Sequence, residues 1–167
     1  MLVRAEKESD REAVFTLHAS AFETSAEARL VDALREQAQP IVSLVAEDKG
    51  IVHGHIMFSP VSLSGNTDSK MMGLAPMVVA PESQRKGIGS ALVRAGLDEC
   101  RQPGIAAVVV LGYPDYYVRF GFFPSNRFGI ESEYDVPEDV FMALELRPGS
   151  LTGKAGTIAY HGAFSDL

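Results

Sequence analysis

The sequence predicts an α+β fold: a central, mostly antiparallel twisted sheet flanked by helices, with one parallel strand pair joined through a βαβ crossover. Three observations carry this reading. Two helix-start signals succeed one another near the N-terminus. Two apolar runs flank a short glycine turn, and a valine-rich run follows a helix introduced by two glycines.

Taken in order, Leu2 and Val3 open a short apolar start. Ser9 and Glu12 have capping-box spacing, and Val14, Leu17, Ala21 and Phe22 then recur at helical intervals. A second box, Thr24 with Glu27, precedes Leu30, Val31, Leu34 and Ala38, until Pro40 stops the pattern. "IVSLVAE" and "IVHGHIMFSPV" flank Asp48, Lys49 and Gly50 and read as an antiparallel hairpin. Gly65 and Asn66 mark the next turn, and "KMMGLAPMVVA" returns as a strongly apolar strand. Pro76 cannot donate to a ladder, so a strand this apolar needs a bulge or splay there.

A glycine-containing loop leads into a helix from Ser90 to about Arg101, ended by Pro103 and Gly104. "IAAVVVLG" has no polar face, as a strand covered on both sides requires, and should run parallel to the strand before the loop. "YPDYYVRFGFFP" reads as a short helix, and "VFMALEL" and "GTIAYHGAF" as two last strands; residues 125–140 read as loop.

At 167 residues and 46% hydrophobic, the chain fits one domain over residues 1–167 with a single core. A net charge of −7 without a basic run disfavours nucleic acid as a partner. No apolar run reaches the roughly 18 residues of a membrane span, so no membrane partner is expected. The lone Cys100 forms no internal disulfide, and no Cys/His group has zinc-ligand spacing, which fits a cytoplasmic protein without a metal.

The chemistry concentrates in "PESQRKGIGSALVRAG". A glycine turn before a helix offers unpaired N–H groups and about half a positive charge to an anion. Arg85 and Lys86 add cations beside Gly87 and Gly89 in an otherwise acidic chain. These features alone fit a phosphate loop or an ordinary strand-to-helix turn with solvated cations. The dinucleotide fingerprint fails, with Leu92 where a small residue belongs and apolar residues where the ribose-binding acid belongs. "GSLTGKA" fails as a P-loop, with Gly149 one residue too close to Gly153 and Ala155 in place of the hydroxyl.

What remains is Q-x-x-G-x-G at Gln84, Gly87 and Gly89, after a strand and before a helix, with the aromatic-Tyr-x-x-x-Gly-Phe pattern in "YYVRFGF". These motifs and the element order over residues 3–123 resemble the GNAT N-acetyltransferase superfamily, most nearly a bacterial YhbS-like branch of it. The resemblance implies a GNAT-like acyl-CoA N-acyltransferase fold and direct transfer of acetyl from acetyl-CoA to a primary amine of a small molecule or peptide, within a ternary complex. It implies that main-chain groups of Arg85, Lys86, Gly87, Ile88, Gly89 and Ser90, with Gln84, hold the pyrophosphate. Met77, Val78 and Val79 would pair with the pantetheine arm, Val79 above all, and one freed N–H would hold the thioester oxygen. It makes Tyr117 the acid that protonates the departing thiolate.

The base that receives the amine's proton is open among Glu23, His55, His161 and water, since the strand "GLAPMVV" carries no acid. Cys100 reads as packing, not as a covalent acetyl carrier, and Arg119 as facing solvent or a phosphate. Met71, Met72 and Met77 read as core filler. The alternative in another class is a coenzyme A-binding sensor without turnover. A homodimer is a habit of the family.

Overall fold

A computed structural model describes residues 1–66, 68–101 and 104–166. Strands β1 (Leu2–Ala5), β2 (Val42–Asp48), β3 (Ile51–Leu63) and β4 (Lys70–Val79) pair antiparallel in that order. The β2–β3 turn places Lys49 and Gly50 at φ 52° and 79°, the hand that a tight hairpin turn needs. β4 then pairs parallel with β5 (Ile105–Leu111), which pairs with β8 (Phe141–Glu145), and β6 (Phe123–Pro124) closes that edge. The expected fold class is therefore observed.

Helix α3 (Ile88–Cys100) joins β4 to β5 and covers one face of the sheet. It turns Leu92, Val93, Gly96, Leu97 and Cys100 onto Leu44, Ile56, Phe58, Met72 and Val108. Gly96 is a packing glycine: a Cβ there would lie 2.2 Å from Phe58 Cε1, so the ring occupies the missing side chain's volume. α1 (Arg11–Ala21) and α2 (Ala26–Gln37) pack Val14, Leu30, Val31 and Leu34 on the opposite face, against Val45 and Met57.

Local signals were shifted rather than absent. α1 starts at Arg11, not at a Ser9 cap, because the Asp10 carboxylate accepts the Lys7 N–H at 2.7 Å while paired with Arg4, also at 2.7 Å. Thr24 Oγ1 does accept the Ala26 N–H, at 3.2 Å. α3 begins two residues before Ser90, at the residue after left-handed Gly87. Of its expected terminator, Gly104 is left-handed at φ 95°, whereas Pro103 lies outside the described residues.

The C-terminal third departs from the reading in two places. Residues 125–140 are not all loop, since a 3-10 turn (Ser125–Phe128) leads into β7 (Ile130–Ser132). β7 pairs parallel with β9 (Gly156–Ala159), which also pairs with Ser62 and Leu63 at the end of β3. Three residues are too short for a periodicity to register, and the partner is distant in sequence. The run "GTIAYHGAF" stops as a strand at Ala159, and Gly162–Asp166 forms a 3-10 turn in which His161 Nδ1 accepts the Ala163 N–H at 3.0 Å.

Candidate active site

The site begins where β4 and β5 part. Their parallel register runs from Lys70 opposite Ile105 to Gly73 opposite Val109 and ends there, although β4 continues to Val79. On its other side β4 stays paired with β3, where Ile56 faces Met77 and Phe58 faces Leu74. Met57 alone therefore spans Ala75 and Pro76, the bulge that the proline requires.

Beyond the bulge the hydrogen-bond direction is set by one contact, Ala80 N–H to the His53 carbonyl at 2.8 Å. Partners alternate along an antiparallel strand, so Val78 turns its N–H to β3 while Met77 and Val79 turn theirs into the gap left by β5. Consistent with this, the Val79 carbonyl is taken not by β3 but by Gln84 Nε2, at 3.1 Å. The motif glutamine thus ties the strand's end to the loop.

That loop is wound for an anion. Arg85 and Gly87 are left-handed, at φ 63° and 83°, with Lys86 between them in the ordinary hand. Alternation of hand turns successive N–H groups inward as a nest, and α3 adds its N-terminal dipole. A non-glycine residue in that conformation is held at a cost of about 1 kcal/mol or more, as functional loops often are. Ser83 Oγ, 2.9 Å from His53 Nδ1, anchors the turn from below.

Strand end, loop and α3 line a cleft of about 470 Å³ that contains Met77, Val78, Val79, Gln84, Arg85, Gly87, Ile88, Gly89 and Ser90. Lys86 is exposed and outside the lining. Tyr116 and Arg119 complete the wall; Tyr116 was not among the residues expected to bind, and Arg119 was read as facing solvent or a phosphate. The Tyr116 hydroxyl lies 3.4 Å from Ser90 Oγ, and Arg119 stacks on its ring at 4.9 Å. The aromatic that opens "YYVRFGF" is the signal for Tyr116, which α4 (Pro114–Tyr117) carries to Ser90 near the start of α3, while Arg119 follows in the next 3-10 turn.

Tyr117 sits deeper, 7% exposed, on the end of β5. A Cβ on Gly112 would lie 2.2 Å from its Cε2, so its ring rests on bare backbone where β5 ends. Tyr116 and Phe122 meet it edge-on at 5.0 and 5.7 Å. Burial, with a smaller contribution from Tyr116, pushes its phenol up to about 12, so it stays protonated. Gly121 at φ 99° ends the following turn, which explains the glycine of the motif.

The candidate bases do not converge. Glu23 is exposed in the α1–α2 connection, and His161 caps the terminal turn. His55 is fully buried on β3 and bonds to a histidine the sequence reading passed over, His18 of α1, with 2.8 Å between the ring nitrogens. Cys100 is 1% exposed, and burial raises its thiol to about 12, which suits packing and not nucleophilic attack. Among the described residues no group of three or more His, Cys, Asp or Glu side chains is arranged to hold a metal ion, and no helix is long and apolar enough to cross a membrane.

Comparison with known proteins adds four findings. A family profile described as "Acetyltransferase (GNAT) domain" matches residues 2–124. An uncharacterised N-acetyltransferase of Escherichia coli strain K12, YhbS, is 37% identical over 166 residues, 99% of each chain. The crystal structure of E. coli YhbS in complex with CoA superposes with a TM-score of 0.90 at 35% identity, covering 98% of this chain and 91% of that one. A GNAT family acetyltransferase from Brucella melitensis in complex with acetyl-CoA superposes at 0.77, also 35% identical, covering 98% and 97%.

Proposed function

Because the chain belongs to the GNAT acetyltransferase family, we propose that its cleft holds acetyl-CoA and that its residues align the thioester with an incoming primary amine of a small molecule or peptide. The chain is an acyltransferase that transfers acetyl from acetyl-CoA; its full-length relative is named as an N-acetyltransferase, which favours turnover over a non-catalytic sensor. The observation that carries the site assignment is the unpaired edge of β4, which runs directly into the left-handed loop.

In this reading the pantetheine amides take the place of β5 along Met77 and Val79. The diphosphate lies in the nest of residues 85–90, with Arg119 and the Tyr116 hydroxyl on its flank. A thioester is already activated, so alignment supplies most of the catalysis. Negative charge develops on the carbonyl oxygen as the nitrogen attacks, and an N–H facing the gap is placed to receive it. The carbon–sulfur bond then breaks, and the sulfur takes the Tyr117 phenolic proton.

One domain over residues 1–167, working in a reducing cytoplasm, completes the reading; the buried Cys100 is compatible with it. The direct test is calorimetry with acetyl-CoA, NAD and ATP, followed by thiol release with amines. A ligand at 100 times its Kd stabilises the native state by about 2.7 kcal/mol, so melting temperatures should respond to acetyl-CoA alone. A response to NAD or ATP and none to acetyl-CoA overturns the assignment.

A further inference from the structure

The buried histidines form part of a longer chain. His55 Nε2 lies 2.8 Å from Ser43 Oγ, Ser43 Oγ lies 3.0 Å from Glu6 Oε1, and Arg35 holds both Glu6 oxygens, at 2.8 and 2.5 Å. Arg35 also meets Asp32, at 2.6 Å. A carboxylate paired with a guanidinium only accepts, which assigns every proton in the chain. Ser43 donates to Glu6, so it must accept from His55 Nε2–H; a neutral His55 then accepts at Nδ1 from His18 Nε2–H. His18 is left with a bare lone pair on Nδ1, and that atom is buried without a partner.

An orphaned buried acceptor costs about 1–3 kcal/mol, so its retention calls for a use. Its place suggests one. His55 faces Val78 in the register, within the stretch of β4 that β5 leaves unpaired. α1 carries His18 over that stretch on the face away from α3, while the cleft for the donor opens at the N-terminus of α3. The acceptor amine must reach the gap from the face that the donor leaves free. Phe22, the first residue after α1, stacks on the imidazole with 6.3 Å between ring centroids and is itself 39% exposed, so a partly exposed aromatic ring lies against the fully buried His18.

We propose that His18 Nδ1 is the base of the transfer, held in the required tautomer by the positioning residues His55, Ser43 and Glu6. The proposal rests on the acetyl-transfer reading above. As the amine nitrogen bonds to the carbonyl carbon it becomes cationic and far more acidic than the free ammonium. Its N–H bond then breaks toward Nδ1, giving an imidazolium, while the departing sulfur takes the Tyr117 proton. The imidazolium loses its proton to water once the amide leaves, and Tyr117 recovers one from water. The groups bearing on the histidine pair are Arg35, which disfavours a charged ring, and Glu6 and Asp32, which offset Arg35; His18 itself disfavours charge on His55. Burial above all holds both rings neutral, so the lone pair stays available through the neutral range.

The test uses the full chain with acetyl-CoA and hydroxylamine, a nucleophile small enough to need no specificity contacts, and follows thiol release. His18→Gln should lower kcat about 100-fold, the usual span of a lost base, with acetyl-CoA affinity unchanged by calorimetry. Ser43→Ala, which frees the His55 tautomer without touching His18, should lower kcat about 10-fold and change the His18 tautomer in long-range imidazole nitrogen NMR spectra. Wild-type kcat in a folded His18→Gln chain overturns the proposal, as does an NMR spectrum with the His18 proton on Nδ1. Thiol release no faster than buffer from a chain saturated with acetyl-CoA overturns it while leaving coenzyme binding intact, whereas failure to bind acetyl-CoA defeats the parent reading.

Discussion

Acidification should weaken this fold through His18. The ring is fully buried, and its pKa falls from 6.5 to about 4, chiefly through burial and secondarily through Arg35. A histidine whose folded pKa lies below its unfolded value binds fewer protons when folded. Its contribution is therefore fully present above 6.5 and is lost as pH falls toward 4. Near pH 5 the difference between the two proton-binding curves amounts to about 2 kcal/mol, a sizeable part of a typical domain's stability. His55, shifted in the same direction, adds to it. Urea unfolding of the wild type and of His18→Gln near pH 8 and near pH 5 isolates the effect, because titration of unrelated carboxylates is common to both. The wild type should lose about 2 kcal/mol more than the variant. Parallel pH dependences, or a wild type that gains stability on acidification, would refute the reasoning.

Three substitutions probe other parts of the account. Gly96→Ala drives a methyl into Phe58 and should destabilise the fold by about 1–3 kcal/mol, seen as a lower urea midpoint. Gly112→Ala pushes the Tyr117 ring off the end of β5; kcat should fall at least about 10-fold with acetyl-CoA affinity retained, and Tyr117→Phe should fall about 100-fold. Gly87→Val places a β-branched residue at φ 83°, where it costs at least about 1 kcal/mol, and should weaken acetyl-CoA binding in calorimetry.

The fold was legible wherever a pattern ran long enough. The hairpin about Lys49 and Gly50, the covered strand 105–111 and the bulge demanded by Pro76 all follow from local chemistry. So does the loop, because its glycines and Gln84 act through backbone within a few residues. Elements defined by distant partners were not legible. β7 exists because β9 pairs with it, and the interior strand of His55 gave no hint of the helix residue opposite. His18 occupies an apolar-face position of α1 and reads as an ordinary helix residue until α1 lies on the sheet. Tyr116 and Tyr117 are adjacent in sequence yet divide between cleft and interior, a division set by how α4 seats on Gly112. Ser9 failed as a cap because Asp10, one residue on, has Arg4 to hold it.

A crystal structure of this chain with acetyl-CoA bound tests the central assignment most directly. The diphosphate should lie within hydrogen-bond distance of the N–H groups of residues 85–90, and the pantetheine amides should pair with Met77 and Val79 in the gap beside β5. Coenzyme density elsewhere on the surface, with β4 left unpaired, would contradict it.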